Sequence, residues 1–199
     1  MPISHKNNLI FLHIPKNAGT AITDAKGMDF THIGHHFPDL YQNNFPYEWK
    51  NYTKFAVVRT PWDRVVSNYE YGRMAESHWH SVSGKSQYRA HPDYQHLSNL
   101  TFKETLHIFK GKRDFLKHQG WEAQHPYVYD KDGILLLDHV FKLDELKVNE
   151  DFQKLVPNLT HKNKSDKKHN SYRDYYDDET IEIVAEIYTK DIELFKFEF

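Results

Sequence analysis

Twice in the first 75 residues a short apolar run stops at a turn that opens a helix. Leu9 to Ile14 reads as a buried strand. Pro15-Lys16-Asn17-Ala18-Gly19 breaks it, and Thr20 can begin a helix at Ala21. Lys54 to Val58 reads as a second strand that ends at Arg59. Thr60 then serves as N-cap, Pro61 takes the first helical position, and Asp63 sits in the first turn. Strand, loop, helix, repeated, predicts an α/β fold with a central parallel sheet flanked by helices. Ligands of such sheets bind beyond the carboxyl ends of the strands. Lys16 and Arg59 both fall there.

The second helix should run to about Met74, with Trp62, Val65, Val66 and Tyr69 on one side and Thr60, Arg64, Ser67 and Tyr71 on the other. Residues 77–98 are polar, rich in His and Tyr and without period, which suggests a long insertion that serves as a substrate loop. Thr101 and Glu104 form a capping box, so a helix should run to Lys110 and end at Gly111. Residues 134–137 and 139–143 read as extended about a bend at Asp138. Asn149 to Val156 predicts a short helix stopped by Pro157. A last helix carries Ile181, Val184, Ala185, Tyr188 and Ile192, capped by Asp177 or Asp178. Alternating Phe195, Phe197 and Phe199 predict an edge strand.

Composition narrows the function. A length of 199 residues suits one domain, and a formal charge of −2 removes the global electrostatic case for a non-specific nucleic-acid binder. An anionic ligand must therefore be held by a local cluster of donors. No apolar run approaches the roughly 18 residues of a membrane span. The chain has no cysteine, which excludes disulfides, thiolate zinc sites and cysteine nucleophiles. The first eight residues carry no secretory h-region, which favours a cytoplasmic protein.

Small residues at Ala18 and Gly19 let an anion approach the first turn's backbone, Thr20 adds a hydroxyl and Lys16 a mobile charge. The segment lacks the Gly-x-x-x-x-Gly-Lys-Ser/Thr order of nucleoside triphosphatases, because the lysine precedes the glycine. An ordinary strand-to-helix turn with a surface lysine has the same composition. In the second segment a guanidinium at Arg59 and a hydroxyl at Ser67 suit a phosphate monoester, whereas a polar stripe facing solvent would look alike. Between the two segments lies Thr31-His32-Ile33-Gly34-His35-His36-Phe37. Imidazole is the natural general base near neutral pH. His32 and His36, four apart, also leave a zinc reading open, against which stand the missing Cys and the absence of a His-Glu-x-x-His pattern.

Together, His13-Ile-Pro-Lys-Asn-Ala-Gly-Thr20 and Val58-Arg-Thr-Pro-Trp-Asp-Arg-Val-Val-Ser-Asn-Tyr69 resemble the carbohydrate sulfotransferases, particularly the branch of heparan and uronyl 2-O-sulfotransferases. The resemblance is strong over residues 9–73, with later echoes at Gln124 and at Phe141 to Leu146. It implies a single P-loop-like domain over residues 1–199 and 3′-phosphoadenosine 5′-phosphosulfate (PAPS) as donor, leaving the bisphosphate PAP as product. It further implies that Lys16, Asn17, Ala18, Gly19, Thr20 and Ala21 surround the phosphosulfate, and that Arg59 and Ser67 grip the 3′-phosphate. By the same resemblance Gly34-His35 matches the pair that supplies the base, with His36 or His32 able to hold that role in a locally shifted pattern. A basic segment before the last helix, residues 161–173, would close over the nucleotide through Lys164, Lys167 and Lys168. Gln124 is expected on the acceptor side with Trp79 and Tyr88. The acceptor would be a glycan or small-molecule hydroxyl, and no metal is required. A nucleoside-triphosphate phosphotransferase would need an acid at the second strand's end, where Arg59 stands. A non-catalytic binder of PAP or sulfated sugars is the other alternative.

Overall fold

The computed structural model describes residues 2–31, 34–77, 91–159 and 171–199. Its strands are β1 (Ile3–Ser4), β2 (Leu9–Leu12), β3 (Thr53–Val58) and β4 (His139–Lys142). Its α-helices are α1 (Gly19–Thr23), α2 (Pro38–Asn44), α3 (Pro46–Asn51), α4 (Pro61–Gly72), α5 (Tyr94–Leu97), α6 (Phe102–Gly111), α7 (Glu150–Leu155), α8 (Asp178–Ile187) and α9 (Thr189–Phe195). The chain divides into two compact units, one of residues 1–59 with 123–164 and one of residues 60–122 with 165–199. No helix among the described residues is long and apolar enough to cross a membrane.

The first unit holds the sheet, in the order β1-β2-β3-β4. β2, β3 and β4 run parallel, with Phe11 opposite Phe55 and Phe55 opposite His139, while β1 pairs antiparallel to β2. The α/β reading holds, with one antiparallel edge strand added. Leu9, Phe11, Phe55, Val57 and Phe141 form one face and pack with Ile22 of α1 and Phe152 of α7. Phe11 stacks on Phe55 at 5.0 Å between centroids, and Phe141 meets Phe152 edge-on at 5.2 Å. Such aromatic pairs add about 0.5–1.5 kcal/mol each beyond area burial. Ile10, Leu12, Ala56 and Val58, on the opposite face, are equally buried. A strand buried on both sides needs an unbroken apolar run, which is why β2 and β3 carry no polar alternation. The predicted bend at Asp138 is a clamp: its carboxylate accepts the Lys54 backbone N–H at 2.7 Å and pairs with the Lys54 ammonium at 2.8 Å.

In the second unit α4 buries the expected face, Trp62, Val65, Val66 and Tyr69. Tyr69 meets Phe102 of α6 edge-on at 5.3 Å, and the Trp62 indole N–H donates to the Ile181 carbonyl of α8. The Thr101–Glu104 capping box forms as expected. Arg64 departs from the expected polar stripe: it is 2% exposed and donates to the Glu122 carbonyl at 2.7 Å. The expected last helix is broken at Tyr188 into α8, capped by Asp177, and α9. The Phe195–Phe199 alternation is not a strand. Lys196 takes a left-handed conformation that ends α9, and the Phe199 ring packs against Trp62, Tyr172 and Tyr176. Among the described residues no strand lies beside this segment, and Phe199 packs by ring contacts and under the Arg173 guanidinium instead.

Within the expected insertion, residues 77 and 91–98 are described, and of these His91, Asp93 and Leu97 are buried. Asp93 is fully buried and accepts from the Lys117 and His118 backbone N–H groups and the Trp121 indole. Three donors on one buried carboxylate satisfy the charge that burial would otherwise penalise.

Candidate active site

The parallel register sets the ends of β2 and β3 side by side, so the segments leaving them, Lys16 and Arg59, emerge on the same edge. The β2–α1 turn is unusual in its backbone. Lys16 and Ala18, neither of them glycine, take positive φ of 70° and 62°. Such residues are uncommon and cost of order 1 kcal/mol or more each, so the surroundings must hold them in place. Between them Asn17 is 0% exposed, and its amide donates to the Val57 carbonyl at 2.8 Å and to Gln124 Oε1 at 2.7 Å.

Gln124 completes the frame. Its Oε1 also accepts the Arg59 backbone N–H at 3.0 Å, and its Nε2 donates to the Arg59 carbonyl at 2.8 Å. The Arg59 guanidinium in turn donates to the Lys16 carbonyl at 2.9 Å. One buried amide thus grips both polar groups of the Arg59 backbone while holding the turn. Expected to touch acceptor, Gln124 is itself 0% exposed and sits beneath the turn.

The turn differs in detail from its sequence reading. α1 starts at Gly19, one residue before the expected N-cap Thr20, and Ala18 in the left-handed region caps it without a side-chain bond. Thr20 is exposed, so its hydroxyl faces outward from the first turn, while Gly19 and Ala21 are buried.

His35 is half-buried and its Nδ1 lies 2.9 Å from the His13 carbonyl oxygen. A carbonyl only accepts, so Nδ1 carries the hydrogen and, in the neutral ring, Nε2 carries the lone pair. The two rings meet at 4.2 Å between centroids, and His13 stacks on Phe11 at 5.4 Å. On its other edge His13 reaches Gly19 so closely that a Cβ there would fall 1.6 Å from Nε2. His13 therefore links the core of the sheet, the turn and His35. Its place one residue past β2, at the strand end where ligands bind, is the one signal of this role in the sequence. His36 folds over Gly34, where a Cβ would lie 2.4 Å from its Nε2.

The structure thus brings Lys16, Asn17, Arg59 and Gln124 together in the first unit, with His35 tied to the strand that leads into the turn. Ser67 lies half-buried on α4 in the second unit. His32, Trp79, Tyr88, Lys164, Lys167 and Lys168 lie outside the described residues.

Compared with known proteins, residues 1–198 match the model of the Sulfotransferase family. No curated protein and no solved structure matches the chain.

Proposed function

The chain belongs to the Sulfotransferase family, that of carbohydrate sulfotransferases such as heparan sulfate 2-O-sulfotransferase, and from that premise we propose that it moves a sulfuryl group from PAPS to a hydroxyl of a saccharide or other small acceptor. The observation that carries this reading is the linked pair of strand ends, in which Arg59 donates to the Lys16 carbonyl of a turn held at two positive φ angles. That arrangement offers two cations and a constrained backbone to a donor that carries anionic groups at both ends of its ribose.

In the proposed reaction the acceptor oxygen attacks sulfur in line, and the bond from sulfur to the bridging oxygen of the 5′-phosphate breaks. The hydroxyl proton passes to His35 Nε2, and the electron pair of the broken bond stays on PAP. A well-placed base of this kind contributes on the order of 10²–10⁴-fold. Lys16 neutralises charge growing on the bridging oxygen, and the backbone from Asn17 to Ala21 receives the sulfuryl and phosphate oxygens, the work that preorganised donors do in phosphoryl transfer. Arg59, with the Ser67 hydroxyl, takes the 3′-phosphate. Lys167 and Lys168 are assigned to closing over the nucleotide, and Trp79 and Tyr88 to the acceptor.

Incubation with ³⁵S-labelled PAPS and a panel of glycans and small hydroxylic metabolites tests the proposal. Label should move to at least one acceptor in the wild type and stay on the donor after His35→Ala. Transfer undiminished in His35→Ala would remove that histidine as base, and absence of transfer to any member of a broad panel, with PAP bound, would favour a binding protein.

A further inference from the structure

A cation distinguishes a 3′-phosphate from a 3′-hydroxyl most sharply when it is held at a fixed distance from the group that holds the 5′ end. In this chain the fixing element is neither reader. Gln124 is completely buried. Its side chain bonds both the N–H and the C=O of Arg59, at 3.0 and 2.8 Å, and takes a third bond from Asn17 at 2.7 Å. A primary amide presents two donors and one acceptor oxygen with two lone pairs. Here both lone pairs of the oxygen and one N–H are spent on the two loop segments.

We infer that Gln124, working with Asn17, is a positioning residue that sets the spacing between the Lys16 turn and Arg59 and thereby the preference for nucleotides phosphorylated at the 3′ position. This rests on the donor assignment above and extends it to a residue that touches no part of the nucleotide. The bonds are unequal in their consequences. If Gln124 loses its amide, Asn17 keeps its bond to the Val57 carbonyl, so the turn retains an anchor. Arg59 loses the two bonds that Gln124 makes to its backbone, so its main chain is less constrained even though its guanidinium still reaches the Lys16 carbonyl. A defect at Gln124 therefore falls on the 3′-phosphate and largely spares the 5′ end. A residue needed only for folding would weaken both alike.

The experiment compares calorimetric affinities for PAP and for adenosine 5′-monophosphate in the wild type and in Gln124→Leu, with melting temperature as the control for folding. Hydrogen bonds to charged groups set the scale, so Gln124→Leu should lose PAP affinity by about 10- to 100-fold, with affinity for the monophosphate changed less than about threefold. Should Gln124→Leu fail to fold, Gln124→Asn, shorter by one methylene and still an amide, carries the same test. It should lose PAP preference in part. A wild type that binds PAP no better than the monophosphate overturns the donor assignment, and the inference with it. A wild type that prefers PAP, beside a folded Gln124 variant with the same preference, overturns the positioning role alone.

Discussion

Gly19→Ala is the smallest change that reaches from the turn through His13 to His35. The added methyl would lie 1.6 Å from His13 Nε2, 2.1 Å from Cδ2 and 2.3 Å from Cε1. Ordinary contact begins near about 3.5 Å, so the ring must retreat by roughly 2 Å. It cannot do so freely, because it stacks on Phe11 and packs on His35 at 4.2 Å. Overpacking of this kind typically costs about 1–3 kcal/mol, against which the gain in helix propensity at the first position of α1 is at most about 1 kcal/mol. A displacement of about 1 Å in a catalytic group can lower turnover about 100-fold. The assay is a double-mutant cycle by urea unfolding. Gly19→Ala should destabilise the wild type by about 1–3 kcal/mol yet cost little in a His13→Ala background, where the obstructing ring is gone. An equal cost in both backgrounds would refute the steric link between His13 and Gly19.

Four further changes separate binding, chemistry and stability. Lys16→Ala should lower kcat by at least about tenfold with PAP affinity changed less, whereas Arg59→Ala should chiefly weaken PAP binding; the opposite split in steady-state kinetics and calorimetry would exchange their roles. Arg64→Ala removes a buried guanidinium from the Glu122 carbonyl and should destabilise by about 2–4 kcal/mol in urea unfolding, well above the 1 kcal/mol or less of a surface change. Desolvation opposes ionisation of Asp138, but bonds from the Lys54 ammonium and backbone N–H outweigh it and hold the carboxyl below its ordinary value. Its stabilisation is therefore complete above the ordinary aspartate pKa near 4 and is lost as pH falls through the lower, folded-state value. The acid limb of a urea-midpoint profile should be shallower in Asp138→Asn; an unchanged limb would contradict the clamp.

How far the chain could be read from its residues depended on whether a signal was local. β2 and β3 are legible because strands buried on both faces must be continuously apolar, and α6 because Thr101 and Glu104 cap it reciprocally. α2 and α3 escaped notice: each is about two turns or fewer and too short to show a period, though Pro38 and Pro46 at their first positions marked them. β1, two residues long, carries no pattern at all. Where long-range partners decide, the sequence is silent. Arg64 reads as a solvent-facing helix residue until the Glu122 carbonyl is found beside it. Gln124 reads as a surface ligand because nothing near it in the chain reveals that its partners are Asn17 and Arg59, 107 and 65 positions away. Lys16 and Arg59 were legible as neighbours because parallel strands bring their carboxyl ends together. The left-handed backbone at Lys16 and Ala18 has no marker, since glycine stands at neither position.

Thermal unfolding with and without nucleotide tests PAPS chemistry most directly. PAP at about 100 times its Kd should stabilise the folded chain by about 2.7 kcal/mol, which for a protein of this length raises Tm by roughly 5–10 °C. ATP with magnesium should raise it far less. A larger shift with ATP and magnesium, or none with PAP, would contradict the assignment of Lys16 and Arg59 to the two ends of PAPS.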